Sequence, residues 1–238
     1  MNDQGTNSIQ AFHGKGKANA IKLFYGDSAS LFAKLIRNNL KAGKYTLVDL
    51  GGHKGEVLGD MLPLLPEYEF DAVVIDKVQG MDEGVKARKI VGDIINNEIP
   101  DKSVDVVLMR YVLPWDSYDN QKLIIKEVQR ICRGFAIIQH QGAMSKDPKP
   151  LQNASLKLWS GRVEALKRDF GFFTEAKQVE AWMTELSINF EKLDQKYIET
   201  LSEMFIEKFN LNDTDAQTTK DILSGCDGIE ITTWLLKF

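Results

Sequence analysis

Asp49, Asp76 and Asp93 each close, or just follow, a short apolar run, and a carboxylate in such a place can grip a nucleoside. The first lies in the stretch VDLGGHKGE, so Gly51, Gly52 and Gly55 follow it at once. Glycines there permit a tight turn and let backbone come close to a ligand, while a helix start offers free N–H groups to a carboxylate or phosphate. Asp76 ends Val73-Val74-Ile75-Asp76 and is followed by Lys77; a carboxylate at a second strand end can accept both hydroxyls of a ribose. Asp93 stands between Gly92 and Ile94, where it can accept from the exocyclic amine of an adenine. Taken singly, each aspartate is an ordinary cap or turn residue. At three successive strand ends they form a set. The set alone does not separate a nucleoside with an amino-acid tail from a dinucleotide, because dinucleotide sites also place an acid after the second strand.

These acids need strands to hold them. Apolar runs at 45–50, 70–75, 89–91, 104–109 and 135–139 alternate with helical patterns, which predicts a mostly parallel sheet covered by helices. The run at 104–109 is continuous, as in a strand buried on both faces, and marks the sheet's centre. Ser28 can cap a helix bearing Leu31, Phe32, Leu35, Ile36 and Leu40 that stops near Gly43. Val57, Leu58, Met61 and Leu62 form one face of a helix that Pro63 and Pro66 close. A third helix starts at Ser117 and presents Leu123, Ile124, Val128 and Ile131; Gly134 then releases the chain into the fifth strand. Residues 142–185 break the alternation with two helical stretches containing Trp159, Phe170, Phe172, Phe173 and Trp182, read as a lid whose aromatics are mostly core. A strand at 188–192, a helix bearing Ile198, Leu201, Met204, Phe205 and Phe209, and a strand at 229–236 complete the sheet, the last strands antiparallel at its edge. The expectation is a single α/β domain over 1–238 with about seven strands. It divides into an N-terminal cap (1–44), a cofactor-binding core (45–141), a helical lid (142–185) and a C-terminal completion (186–238).

With 238 residues, 43% hydrophobic, the chain suits one ordinary globular domain. Cys132 and Cys226 lie far apart with no ligand-like spacing, so neither a disulfide framework nor a metal site is expected, and a reducing cytoplasm is the expected compartment. No apolar leader and no stretch of about 18 apolar residues is present, so neither export nor a membrane is expected. A net charge of −4 argues against a nucleic-acid partner, which needs a concentrated basic face.

From residue 48 to about 139 the pieces VDLGGHKG, VVID, VGDI and VDVVLMRYVLPW, then IKEVQRICRG and FAIIQ, follow one another in order. In that order and spacing the chain resembles the class I S-adenosylmethionine-dependent methyltransferases, and among them the small-molecule O-methyltransferases. The resemblance implies a Rossmann-like sheet, with S-adenosyl-L-methionine held by Asp49, Gly51, Gly52 and Gly55 at its methionine portion. It implies Asp76 and Lys77 at the ribose, and Gly92, Asp93 and Ile94 at the adenine edge. Arg110 and Tyr111 would line the sulfonium side and the mouth of the acceptor pocket. Two departures stand out. His53 replaces the family's middle glycine and is expected to turn outward. Where some members carry a Leu-His-x-Trp motif with a catalytic histidine, this chain reads Leu113-Pro114-Trp115, and proline accepts no proton. The long N-terminal dimerisation region of plant-type members is also missing, so the oligomeric state stays open.

The expected activity is methyl transfer to a small molecule or modified peptide by direct displacement, helped by alignment and exclusion of water. Tyr111, His140 and His13 are the candidate catalytic groups, though packing or surface roles suit both histidines. An NAD-dependent oxidoreductase, and a methyltransferase-like binding protein without chemistry, are the alternatives.

Overall fold

The structure is a computed structural model that describes residues 28–143, 174–198, 206, 212–223 and 229–238. His13 and its flanking arm, Trp159, Phe170, Phe172, Phe173 and most of the helix expected after residue 198 lie outside the described residues.

Seven strands form one sheet in the order β3-β2-β1-β4-β5-β7-β6. In chain order they are β1 (Gly43–Leu50), β2 (Tyr68–Asp76), β3 (Arg88–Val91), β4 (Val104–Arg110), β5 (Cys132–Ala143), β6 (Asn189–Ile198) and β7 (Ile229–Lys237). The first five run parallel; β7 is antiparallel to both β5 and β6. β4 occupies the middle of the sheet, as its unbroken apolar run requires.

Period-two alternation sorts each strand's side chains onto two faces. One face carries Leu47, Val74, Val106, Leu108 and Ile137, and packs against α1 (Ser28–Asn39) and α2 (Glu56–Met61) through Phe32, Ile36, Leu58 and Met61. The other carries Val48, Ile75, Val107, Met109 and Ile138, under α3 (Tyr118–Ile131) and α4 (Ala176–Glu185). Ser117 caps α3 by accepting from Asn120 N–H, and Ile124, Ile125, Val128 and Ile131 form its buried stripe. Leu123, expected on that stripe, is 46% exposed, and Ile125 takes its place.

Several boundaries differ from expectation for identifiable reasons. Gly134 does not end α3: the chain is already extended at Cys132, and a Cβ at Gly134 would collide with the carbonyl of Asp105 on β4. Its role is close strand approach. β5 runs on to Ala143 because β7 pairs with it from Phe135 to Ala143, well past the end of β4. β6 extends to Ile198, the residue expected to open a helix, because its polar alternation is that of an edge strand with one solvated face. α5 (Asp213–Leu223) was not anticipated. Within the segment read as a lid, α4 is core: Val179, Trp182 and Met183 are buried on the sheet, and Trp182 meets Tyr118 edge-on at 5.0 Å. No helix among the described residues is long and apolar enough to cross a membrane.

Candidate functional site

The parallel strands β1, β2, β3 and β4 all end along one edge of the sheet, and the loops there bring most of the sequence-derived candidates together. After β1 the chain takes three left-handed residues in quick succession: Gly51 (φ 69°), His53 (φ 47°) and Gly55 (φ 86°). Such values suit glycine, which is why a glycine pattern marks this turn. The space is as restrictive as the dihedrals. A Cβ on Gly51 would lie 2.5 Å from Val112 Cγ2, one on Gly55 would lie 2.8 Å from Met81 Cε, and one on Gly52 would overlap the carboxylate of Asp49.

Asp49 therefore lies directly under the loop. It is 1% exposed, and its Oδ2 has no hydrogen-bond partner among the described residues. Burial pushes its carboxyl up to about 7; Arg110 and Lys89 pull it down, while Asp76 and Glu56 push it further up. A buried carboxylate oxygen with no donor is rare unless something else is meant to bind it.

Asp76, at the end of β2, holds the loop in place. Its Oδ2 accepts from His53 N–H at 2.9 Å and its Oδ1 from Val78 N–H at 2.8 Å, while its carbonyl accepts from Gly92 N–H at 3.1 Å. Each carboxylate oxygen keeps a second lone pair. Asp93 accepts from Ile95 N–H at 2.9 Å and pairs with Lys77 Nζ at 2.9 Å. Burial opposes its ionisation, but Lys77 and that N–H outweigh burial and hold the carboxyl below its ordinary range. Ile94 reaches the space over Gly51, where its Cδ1 would be 3.4 Å from a Cβ.

His53 does not turn outward. Its side chain is only 12% exposed, and Nδ1 lies 2.6 Å from Glu56 Oε1 at the start of α2. The short i,i+3 link lets an imidazole occupy a left-handed position usually left to glycine. Lys89 donates to the carbonyl of His53, and burial lowers its ammonium's pKa against the pull of Asp76, Asp49 and Glu56. Glu56 and Lys89 were absent from the sequence-derived set. The spacing of Glu56 from His53 is a usable signal, whereas Lys89 joins the site only because β3 pairs with β2.

Across the edge, Arg110 ends β4 and its guanidinium carbon lies 5.6 Å from the centroid of the Tyr111 ring. Tyr111 is buried at 7% exposure with φ 57°, a left-handed backbone that an aromatic residue seldom adopts, and its N–H donates to Gln139 O at 2.7 Å. Pro114 sits buried in the 3₁₀ turn Leu113–Trp115. His140 follows Gln139 on β5 and is fully enclosed. Its Nε2 lies 2.8 Å from Thr174 O, its ring stacks on Trp234 at 6.1 Å, and burial lowers the imidazole to about 4. Ser28, the first residue of α1, donates to Gln139 Oε1 at 2.8 Å and so fixes that helix start against β5.

Five parallel strands and an antiparallel β7 placed between β5 and β6 make one open α/β sheet, and solved structures superpose on it. The fold is that of the class I methyltransferases. YcgJ from Bacillus subtilis superposes with a TM-score of 0.64 at 13% identity, covering 88% of this chain and 97% of that one. Magnesium protoporphyrin IX methyltransferase from Synechocystis, solved with bound S-adenosylhomocysteine, gives 0.61 at 12% identity over 100% of this chain and 95% of its own. Phosphoethanolamine N-methyltransferase 2 from Haemonchus contortus, solved with S-adenosyl-L-methionine, gives 0.60 at 13% identity, and this chain spans 57% of it. No family model and no curated protein matches the sequence.

Proposed function

We propose that this protein is an S-adenosyl-L-methionine-dependent methyltransferase acting on a small molecule. The observation that carries the reading is the buried Oδ2 of Asp49, without a hydrogen-bond partner among the described residues, beneath a loop in which Gly51, Gly52 and Gly55 leave no room for a Cβ. A carboxylate so placed suits the cationic amino end of the cofactor, whose sulfonium supplies an already activated methyl carbon. Gly51, Gly52 and Gly55 admit the methionine portion, Asp76 offers its spare lone pairs to the ribose, and Lys77, Gly92, Asp93 and Ile94 frame the adenine. Arg110 and Tyr111 face the acceptor across the same edge. The protein's work is to align the acceptor and exclude water, and neither requires a strong base. Pro114 supplies none.

The strand order supports this reading over an NAD-dependent oxidoreductase, since dinucleotide folds keep their sixth strand parallel in the order 3-2-1-4-5-6. Calorimetry tests the choice: S-adenosylhomocysteine should bind with a Kd on the order of micromolar, and NAD should give no heat. Tight NAD binding with no response to S-adenosylhomocysteine would overturn the assignment. Release of labelled methyl to any member of a small-molecule panel separates an enzyme from a binding protein of the same fold.

A further inference from the structure

His140 and Thr232 stand directly opposite each other in the antiparallel β5–β7 ladder. Opposed residues project from the same face, with Cβ atoms about 4.5–5.5 Å apart. Both are buried, at 1% and 0% exposure. The 2.8 Å contact to the Thr174 carbonyl requires His140 Nε2 to carry the proton and donate. Nδ1 of the neutral ring is then a bare lone pair. Neither that Nδ1 nor Thr232 Oγ1 has a hydrogen-bond partner among the described residues.

Two such orphans on one pair of facing residues define a place for a third polar group. Its chemistry follows from theirs. The group must donate to Nδ1 and also exchange a hydrogen bond with the threonine hydroxyl, and a hydroxyl does both. A carboxylate has no proton to donate, and the His140 ring, neutral at pH 7, offers it no charge. The position is the reactive edge: Gln139, the preceding residue, accepts from Tyr111 N–H at the point where β4 ends. Thr174, whose carbonyl fixes the tautomer, is itself held by Gln121 through a 2.6 Å hydrogen bond.

We propose that His140 and Thr232 form a buried hydroxyl-binding site that receives the hydroxyl of the methyl acceptor. The inference rests on the methyl-transfer reading above and narrows its acceptor class to alcohols and phenols rather than carboxylates. A permanently bound water has the same hydrogen-bonding chemistry, and the experiment separates the two.

Protein labelled with 15N-histidine and saturated with S-adenosylhomocysteine is titrated with phenol, benzyl alcohol and benzoate while the His140 Nδ1 resonance is followed. Phenol or benzyl alcohol should move it saturably and benzoate should not. Thr232→Val, which keeps the side-chain shape without the hydroxyl, should weaken the response at least fivefold while circular dichroism and melting confirm folding. His140→Phe should abolish hydroxyl-compound binding measured by calorimetry. An Nδ1 already hydrogen-bonded and indifferent to every compound identifies a structural water and overturns the proposal. So does an undiminished response in Thr232→Val. Binding of S-adenosylhomocysteine, measured separately, tells failure of this site from failure of the methyltransferase assignment.

Discussion

Two polar regions share the carboxyl edge of the sheet, and they are built on opposite principles. The β1–β3 side is charged: Asp49, Glu56, Asp76, Lys77, Lys89 and Asp93 lie within a few loops, several joined in ion pairs or hydrogen bonds to backbone. On the β5–β7 side the cluster of His140, Thr174, Thr232 and Gln121 is buried and uncharged, and the carboxylate beside it, Glu230 of β7, accepts from Ala176 N–H at 2.6 Å and from Gln195 Nε2 at 2.7 Å. Unpaired charge is concentrated where a cation is expected, whereas in the His140–Thr232 cluster polarity without charge survives full burial because dipoles are far cheaper than ions to desolvate. An ion that must remain buried, such as Asp49, does so with its carboxyl pushed up to about 7.

The sharpest way to break the charged side is Gly52→Ala, whose new methyl must displace the Asp49 carboxylate. It should weaken S-adenosylhomocysteine binding by about 3 kcal/mol or more, roughly 150-fold, by calorimetry on folded protein. Asp76→Ala should cost about 1–3 kcal/mol of the same affinity, because the ribose loses a charged acceptor and His53 N–H loses its own. Unchanged affinity would remove Asp76 from the cofactor site.

Proton linkage at Asp49 gives the next effect. Binding of a cation needs the ionised form, so below pH 7 the cofactor's affinity should fall about tenfold per pH unit, and this slope should vanish in Asp49→Asn. In the empty protein the raised carboxyl works the other way. Its contribution to stability is present below its ordinary pKa of 3.8 and is lost as pH rises to about 7, so Asp49→Asn should melt higher than the parent at pH 8. A lower melting temperature for the variant at that pH would show that Asp49 is not held against its ionisation. The smallest effect should come from His53→Gly, which trades the Glu56 contact for relief of a left-handed backbone. Stability and affinity should both stay within about 1 kcal/mol of the parent. A much larger loss would show that the imidazole itself belongs to the binding surface.

The charged side was legible in the sequence because its logic is local. A strand, an acid and a run of glycines are neighbours in the chain, and three repeats of strand-then-acid carry a pattern that composition alone does not. On the other side only His140 stood among the sequence-derived candidates; Thr174 and Thr232 escaped notice because they join it only through the β5–β7 pairing and the residues that lead into α4. His53 misled for a related reason: a histidine among glycines reads as exposed until the position of Glu56 on the first turn of α2 is known. Leu123 and Gly134 show the ordinary limit of periodicity, which gives the presence of a helix more reliably than its exact face or end.

The placement of β7 between β5 and β6 also governs how the protein can be made. β6 is translated before β7 yet touches the sheet only through it, so while the ribosome is still working on residues 199–228 that strand has no neighbour to pair with. The parallel half, β1 to β5, can assemble from the chain already synthesised, with the outer side of β5 left open as an adhesive edge. Closure waits for the arrival of Ile229–Lys237, and with it comes Thr232, so the hydroxyl site is among the last features of the molecule to exist.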